Sequence, residues 1–186
     1  TADSARKRLP VQIQTAIIPR TRVQQVHIIG GGLAGSEAAW QLATRGIPVL
    51  LSEMRPETMG AAHTSEHLSE LVCSNSLRSD SPDVAIGLLK RELRHMGSLL
   101  IEAADKNRVP AGSALAVDRD RFSADIPDRI STHPLITVRP QLAKTLPTER
   151  ISLLAPGPLP PTDLEHHPQN LTGTAHQALY HATAPL

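Results

Sequence analysis

The sequence predicts an α/β fold with a mainly parallel sheet, and three consecutive segments are the basis of that prediction. The apolar run Val-His-Ile-Ile at residues 26–29 is typical of a short buried strand. The stretch after Gly35 carries small and apolar residues at helical spacing and stops at Gly46. A second apolar strand follows at residues 47–53. Strand, helix and strand in this order form a βαβ unit, which implies parallel strands and a right-handed crossover.

The middle of the chain predicts one irregular segment and one long helix. Residues 54–80 are polar and long for a loop, so we expect them to be functional or to contain a short helix. Ser81 and Pro82 mark a helix start, because serine caps helices well and proline fits the first helical position. Apolar residues recur every three or four positions from Ala85 to Ala103, which predicts a single amphipathic helix of about 22 residues.

Shorter apolar segments predict the remaining strands. Residues 114–119 indicate a short strand or an extended segment, and residues 136–138 and 151–155 indicate two further strands.

The chain divides by composition into an extension and one domain. Residues 1–25 carry five basic side chains against one acidic side chain, which favours a basic, disordered extension over a targeting segment. Residues 26–186 are interpreted as one domain, with dense signals over 26–126 and weaker signals over 127–186.

Composition excludes several classes of protein. The net charge is +1 over 186 residues, so no overall charge indicates a nucleic-acid or membrane partner. The single cysteine, Cys73, excludes an internal disulfide framework and a zinc site of several thiolates. No apolar run approaches the roughly 18 residues that suggest a membrane span. We therefore predict a soluble, cytoplasmic protein without a membrane partner.

A glycine-rich turn follows the first strand and predicts a dinucleotide site. Gly30, Gly32 and Gly35 form the pattern Gly-x-Gly-x-x-Gly where the first strand meets the helix. The first glycine permits the tight turn, the second lets a pyrophosphate approach the backbone, and the third lets helix and strand pack closely. The helix N-terminus supplies N–H groups to the phosphates. The predicted cofactor-binding residues of this turn are Gly30, Gly31, Gly32, Leu33, Ala34 and Gly35.

An acidic residue at the end of the second strand completes the pattern. Glu53 follows Gly35 by 18 positions, where a carboxylate accepts hydrogen bonds from a ribose hydroxyl. The same carboxylate repels the 2′-phosphate of NADP. The site therefore favours FAD or NAD.

Four stretches together resemble one enzyme family. The run from Val26 to Gly46 resembles the FAD-binding start of glutathione-reductase-type flavoproteins. Three more stretches narrow the resemblance: Ser-Glu-Met-Arg-Pro at 52–56, Glu-Leu-Val-Cys-Ser-Asn-Ser-Leu-Arg at 70–78, and Val-Pro-Ala-Gly-Ser-Ala-Leu-Ala-Val-Asp-Arg at 109–119. With them the chain resembles the N-terminal, FAD-binding portion of the folate- and FAD-dependent tRNA (uracil-5-)-methyltransferases, the TrmFO family.

The resemblance implies a fold and an activity. The fold is an FAD-type Rossmann domain of the glutathione-reductase-like class, incomplete in this chain. The activity is C5-methylation of a T-loop uridine in tRNA to ribothymidine, with methylenetetrahydrofolate as methylene donor, FAD as cofactor and NAD(P)H as reductant. The implied partners are tRNA and the folate.

Three departures from the family pattern keep alternatives open. Family members are more than twice as long and carry a second cysteine. Pro156 stands where the family has threonine, which removes a backbone donor, and His181 stands where the family has aspartate. The alternatives are a catalytically inactive FAD-binding fragment and a related flavoprotein that modifies wobble uridine in tRNA.

The Leu-Val-Cys-Ser-Asn-Ser block supplies the remaining candidate site residues. Cys73 is the predicted catalytic residue, because C5 of uracil becomes nucleophilic only after a group such as a thiolate adds to C6. Its role as nucleophile, base or flavin-adduct partner stays open, and so does the plain alternative of a small buried side chain. Asn75 and Ser76 are predicted to contact the flavin or uracil, or else to cap a turn.

Two further patterns have weaker functional interpretations. His63 and His67 with Glu66 form His-x-x-Glu-His, a zinc-hydrolase pattern, but the stretch lacks a buried helical stripe and we predict no metal site. Four basic residues around the long helix suggest either tRNA phosphate contacts or a solvated face with local ion pairs. These four are Arg78, Lys90, Arg91 and Arg94.

Overall fold

The computed structural model describes residues 24–60, 63–145, 147 and 151–157. The predicted extension therefore lies outside the described residues except for its last two positions, as do residues 158–186. The strands are β1 (Val26–Ile29), β2 (Val49–Glu53), β3 (Ser76–Ser79), β4 (Arg108–Val109), β5 (Ala114–Val117), β6 (Ile136–Pro140) and β7 (Ser152–Leu154). The helices are α1 (Leu33–Thr44), α2 (Ala85–His95), α3 (Leu99–Lys106) and α4 (Arg119–Ser131).

Four strands form the parallel sheet that the sequence predicts. The order across it is β6-β2-β1-β7, and every neighbouring pair is parallel. Numbered among themselves these strands run 3-2-1-4, the order of a Rossmann half. The order reverses at β1, so the carboxyl ends of β1 and β7 open a crevice, the place where such sheets bind ligands. The predicted α/β class with a mainly parallel sheet is confirmed.

Helices α1 and α4 pack against this sheet, α3 packs against both of these helices, and together they form the core. Alternate residues of the central strands, Ile28 and Leu51 among them, are fully buried in one apolar cluster. From the helices Ala39, Leu99 and Phe122 enter the same cluster. Small side chains on α1 let that helix lie close to the sheet, which positions its N-terminus at the crevice.

Trp40 joins α1 to the two helices beside it. Its indole Nε1 donates to the carbonyl of Gly97 at 3.2 Å, and the Arg129 guanidinium lies 4.6 Å from the ring centroid. His133 packs edge-on against the ring, with centroids 5.6 Å apart. One of the few aromatic side chains thus ties three segments together.

The structure also contains a second, antiparallel sheet, which was not predicted from the sequence. Its order is β3-β5-β4, and β5 is the strand expected within residues 114–119. Within the irregular stretch 54–80 the described residues contain the strand β3 and no helix, so the expected hidden helix is absent there. The polar sequence of β3, Ser-Leu-Arg-Ser, carries no alternating apolar signal.

The predicted long helix is wrong at its start and in its middle. It begins at Ala85 with Val84 as the capping position, not at Ser81. It breaks at Gly97, whose φ of +69° is unfavourable for other residues, and Ser98 then caps α3 by accepting from the Ile101 N–H. The apolar spacing continues across the break, so periodicity alone did not reveal two helices.

Helix α4 was missed entirely. It carries many charged residues and Pro127 in its interior, which lowered the helical signal. Asp118 caps it by accepting from the Arg121 N–H at 3.1 Å, and Phe122, Ile126 and Ile130 are fully buried. Burial of these three side chains against the sheet stabilises a helix that local propensity does not favour.

Candidate functional site

A cavity of about 270 Å³ lies at the carboxyl ends of β1, β2 and β7. Its described lining residues come from the glycine turn, the end of β2 and three loops. They are Ile29, Gly30, Gly32, Leu33, Ala34, Ser52, Glu53, Met54, His63, Glu70, Val72, Gln141, Leu142, Ala143, Ala155, Pro156 and Gly157. Five of the predicted cofactor-binding residues therefore lie at one cavity. The location agrees with the switch point of the parallel sheet.

Gly30 and Gly35 are required by backbone packing. Gly30 has φ +103°, and a Cβ there would overlap the carbonyl oxygen of Ala155 on the strand beside it. A Cβ on Gly35 would overlap the carbonyl oxygen of Gly30. These two glycines hold the turn, the helix and β7 close together, which is the role predicted for the first and third glycines of the pattern.

Gly32 differs from its neighbours because open space surrounds its Cα. No atom among the described residues lies within 4 Å of the position of an added Cβ, and φ of −70° is accessible to any residue. The fold itself therefore does not require glycine there. The open space faces the cavity and matches the close backbone approach that a pyrophosphate needs.

The first turn of α1 presents backbone donors to the same space. Gly32 caps the helix without a side chain, and the first intrahelical bond at this end runs from the Ser36 N–H to the Gly32 carbonyl. The N–H groups of Leu33 and Ala34 precede that bond, at the positive end of the helix dipole. The residues of this turn fit a diphosphate.

Glu53 reaches back to the glycine turn. The Gly31 N–H donates to Glu53 Oε2 at 2.6 Å. A Cβ on Gly31 would lie 2.8 Å from that oxygen and 2.5 Å from Leu68 Cδ2, so glycine is needed here for packing. The carboxylate predicted to bind ribose is thus anchored to the turn predicted to bind phosphate.

Arg55 pairs with the same carboxylate from the other side. Its Nε donates to Glu53 Oε1 at 2.8 Å and its Nη1 to Glu70 Oε2 at 3.3 Å, and its side chain is fully buried. Burial raises the pKa of Glu53, but the Arg55 hydrogen bonds and charge and the Gly31 N–H outweigh it, so this pKa lies below its ordinary value of 4.5. Glu53 is therefore an anion at neutral pH, as a ribose acceptor must be.

These ionised carboxylates make the fold sensitive to acid. Hydrogen bonds outweigh burial and lower the pKa of Glu70 and Asp80 as well as that of Glu53. A lowered folded-state pKa contributes stability above the unfolded value, and this contribution is lost as pH falls through the folded value. We expect the urea concentration at the unfolding midpoint to decrease as the pH is lowered below about 5. In Glu70→Gln, whose side chain cannot titrate, the urea midpoint should decrease less steeply with falling pH. The same steepness as in the unaltered chain would contradict the contribution of Glu70 to acid sensitivity.

The structure separates the other predicted site residues from this cavity. Cys73 is exposed and follows Val72, which lines the cavity. The amide of Asn75 donates to the Val117 carbonyl at 3.1 Å, and Ser76 begins β3 and lines a second, apolar cavity beside α2. The roles predicted for these three residues stay predictions.

The two weaker patterns also have definite places. His63 lines the cavity and His67 is exposed, and no group of three or more His, Cys, Asp or Glu side chains in the described part of the chain could hold a metal ion. Arg94 bonds Asp80 and Asp105, and Lys90 is buried with its Nζ on the Ser79 carbonyl. Two of the four basic residues are thus engaged in the fold, which favours local pairing over a phosphate-binding surface.

Sequence reasoning missed the residues that support the site from the loop after β2. Arg55 and Glu70 lie within quoted stretches, but no local pattern joins positions fifteen apart in an irregular segment. Gln141 was also missed; its N–H donates to the Glu53 carbonyl at 2.7 Å and it lines the cavity. One signal was available in the sequence. Glu53 and Arg55 are oppositely charged and lie at and just after the end of an apolar strand, and charged residues are rarely buried there unless they are paired.

Comparison with known proteins identifies the family. The family model described as glucose inhibited division protein A matches residues 25–155, which include the glycine turn, the Glu53 strand and β7. The chain belongs to this family. None of the helices among the described residues is long and apolar enough to cross a membrane.

Two curated relatives carry the same name. A methylenetetrahydrofolate–tRNA-(uracil-5-)-methyltransferase TrmFO of Synechocystis sp. is 47% identical over 166 residues, covering 89% of this chain and 36% of the relative. The TrmFO of Bartonella bacilliformis is 50% identical over 163 residues, covering 87% and 35%. The chain therefore spans little more than a third of the length of these relatives, and the resemblance found in the sequence is confirmed over that span.

Solved structures are more distant. The GidA-related protein from Thermus thermophilus aligns with a TM-score of 0.39 and 21% identity, over 67% of this chain and 41% of that one. CtdE, solved in complex with FAD, aligns with a TM-score of 0.37 and 13% identity, over 62% and 30%.

Proposed function

We propose that this chain binds FAD and forms the flavin-binding part of a tRNA uracil-5 methyltransferase that uses methylenetetrahydrofolate. The observation that carries the proposal is the open space at Gly32 beside the anchored carboxylate of Glu53. The relatives named above, about half identical to this chain, carry that activity in their names. This chain spans about a third of their length, and we therefore propose that it supplies the flavin-binding part of that activity.

The described residues have separate tasks in FAD binding. The N–H groups at the start of α1 would hold the diphosphate, and Gly32 leaves the room for it. Glu53 would accept a hydrogen bond from the adenosine ribose. The apolar cavity walls, Ile29 and Leu142 among them, exclude water from the bound cofactor.

The chemistry divides between cofactor and protein. Bound FAD in its reduced form supplies the electrons that convert the transferred methylene carbon into a methyl group. C5 of uracil attacks that carbon only after a nucleophile has added to C6, and C5 later loses its proton as the nucleophile leaves. We assign the nucleophile or base to Cys73, which is exposed beside the cavity-lining Val72.

We further propose a reductant, the extent of the FAD-binding domain and a cellular compartment. NAD(P)H would regenerate reduced FAD, and tRNA as the substrate would place the protein in the cytoplasm. Residues 26–186 would form the FAD-binding unit, while Asn75 and Ser76 would act near the base.

Replacing Cys73 with serine should separate binding from catalysis. We expect the variant to bind FAD with unchanged affinity, because Cys73 does not line the described cavity. Transfer of label from methylenetetrahydrofolate into tRNA should fall to background, because a hydroxyl is a far weaker nucleophile than a thiolate. The measurement is nucleoside analysis of tRNA after incubation with labelled folate, FAD and NADPH.

The outcomes of this experiment discriminate among the candidates. Labelled ribothymidine with the unaltered chain and none with Cys73→Ser supports the proposal. Unaltered transfer by the variant contradicts the role of Cys73. FAD binding without any transfer by the unaltered chain would identify a non-catalytic flavin-binding chain, an alternative favoured by Pro156, which brings no N–H to the cavity wall.

A further inference from the structure

We propose that Arg55 is a positioning residue for the ribose-binding carboxylate: it orients Glu53 without touching the dinucleotide. The inference rests on the FAD site proposed above. Arg55 has a fully buried side chain and is not among the described residues that line the cavity, whereas both of its carboxylate partners are. It therefore acts from behind the site.

Three N–H donors surround the Glu53 carboxylate. The backbone N–H and the Nε of Arg55 both donate to Oε1, at 3.1 and 2.8 Å, and the Gly31 N–H donates to Oε2 at 2.6 Å. A carboxylate offers about four lone-pair sites, so three bonds leave about one for a ligand. These donors hold the carboxylate in one orientation at the cavity wall, with one acceptor site left for a ribose hydroxyl.

Arg55 is itself held by the loop that follows β2. Its Nη1 donates to Glu70 Oε2 at 3.3 Å and to the Ser65 carbonyl at 3.4 Å. Glu70 is fixed in turn by the N–H and hydroxyl of Thr64, which donate to its Oε1 at 2.9 and 2.6 Å. The Nε and Nη1 atoms of the guanidinium are thus held between the end of β2 and the loop that follows it, whereas Nη2 has no hydrogen-bond partner among the described residues.

The same loop also contacts the phosphate-binding turn. The Ser69 N–H donates to the Gly31 carbonyl at 2.9 Å, and Leu68 packs against the Gly31 Cα. One loop therefore holds Arg55 and supports the glycine turn. The ribose and phosphate parts of the proposed site are built as one unit.

Arg55 also supplies the positive charge beside the two buried carboxylates. Glu53 and Glu70 are two buried carboxylates that share one guanidinium, and the remaining titratable group facing them among the described residues is His63. Burial and then the Arg55 charge lower the pKa of His63, so it is neutral at pH 7 and supplies no compensating charge. Without the Arg55 side chain, burial would raise the pKa of Glu53 against fewer opposing hydrogen bonds, and protonated Glu53 would accept fewer hydrogen bonds from ribose.

The test compares Arg55→Met, Arg55→Lys and a matched control, Arg94→Met. Arg94 also bridges two carboxylates, Asp80 and Asp105, but lies away from the cavity. FAD dissociation constants of the full chain are measured from about pH 5 to about pH 8 by flavin fluorescence, with circular dichroism to verify folding. Arg55→Met removes the charge-assisted hydrogen bond that holds Glu53. The variant should therefore bind FAD about tenfold or more weakly at pH 7.

The pH profile distinguishes positioning from simple destabilisation. We expect affinity to be nearly flat with pH in the unaltered chain, to rise with pH in Arg55→Met as Glu53 ionises, and to be flat again in Arg55→Lys. Arg94→Met should match the unaltered chain. A pH-independent loss, or no loss, in folded Arg55→Met overturns the role of Arg55 alone, whereas failure of the unaltered chain to bind FAD overturns the proposed function and this inference with it. If Arg55→Met does not fold, a flat profile with near-normal affinity in Arg55→Lys supports the inference, and a pH-dependent one contradicts it.

Discussion

Replacing Gly32 with valine should abolish FAD binding while the protein stays folded. The backbone at Gly32 is extended, and the space around its Cα is open among the described residues, so valine fits the protein. The same side chain would occupy the space proposed for the pyrophosphate and keep it from the N–H groups of α1. Loss of two charge-assisted hydrogen bonds should weaken FAD binding about 100-fold or more.

Isothermal titration with FAD measures this effect, and a thermal melt verifies the fold. Gly32→Ala serves as a graded control, since one methyl group fills less of the same space and should cost less affinity. Normal FAD affinity in folded Gly32→Val would contradict the assignment of this turn to the phosphates, and with it the proposed function.

Replacing Gly35 with alanine should prevent stable folding. The new methyl group would overlap the carbonyl oxygen of Gly30, which is rigid backbone held between two strands. Relief requires α1 to move away from β1 and so to open the core. The cost should exceed about 3 kcal/mol, the upper end of ordinary overpacking.

Urea unfolding of Gly35→Ala and Gly32→Ala makes a matched comparison. Both substitutions add the same methyl group in the same turn, one into backbone and one into open space. We expect Gly32→Ala to unfold at nearly the unaltered urea midpoint. Equal midpoints for the two variants would mean that helix and strand do not pack as closely as described.

The glycine turn and the parallel strands were predictable because their signals are local. Gly30, Gly32 and Gly35 with Glu53 follow a fixed spacing, and the βαβ unit around them has short, apolar strands. Backbone constraints of this kind depend on neighbours in sequence. The structure confirms the sheet and brings Gly30, Gly32 and Glu53 to one cavity.

The long helix and α4 show where local patterns fail. Apolar spacing continues through Gly97, although the chain turns there and two helices result. Helix α4 has weak propensity, and Phe122 stabilises it only because the sheet offers a buried surface. Tertiary contacts overrode the local preference in α4, whereas the long helix is broken by Gly97 and the Ser98 cap, a local signal that the apolar spacing concealed.

The sequence by itself determined the class of fold and the family, and it predicted a dinucleotide site from the glycine turn and Glu53. What only the tertiary structure decided is how that carboxylate is held: Arg55 and Glu70 meet it from an irregular loop, and Gly31 meets it from the turn. The physical reason is that a glycine turn and a buried strand are local constraints on φ, ψ and burial. A buried ionic cluster is set by distances between segments, and these are defined only when the chain is folded.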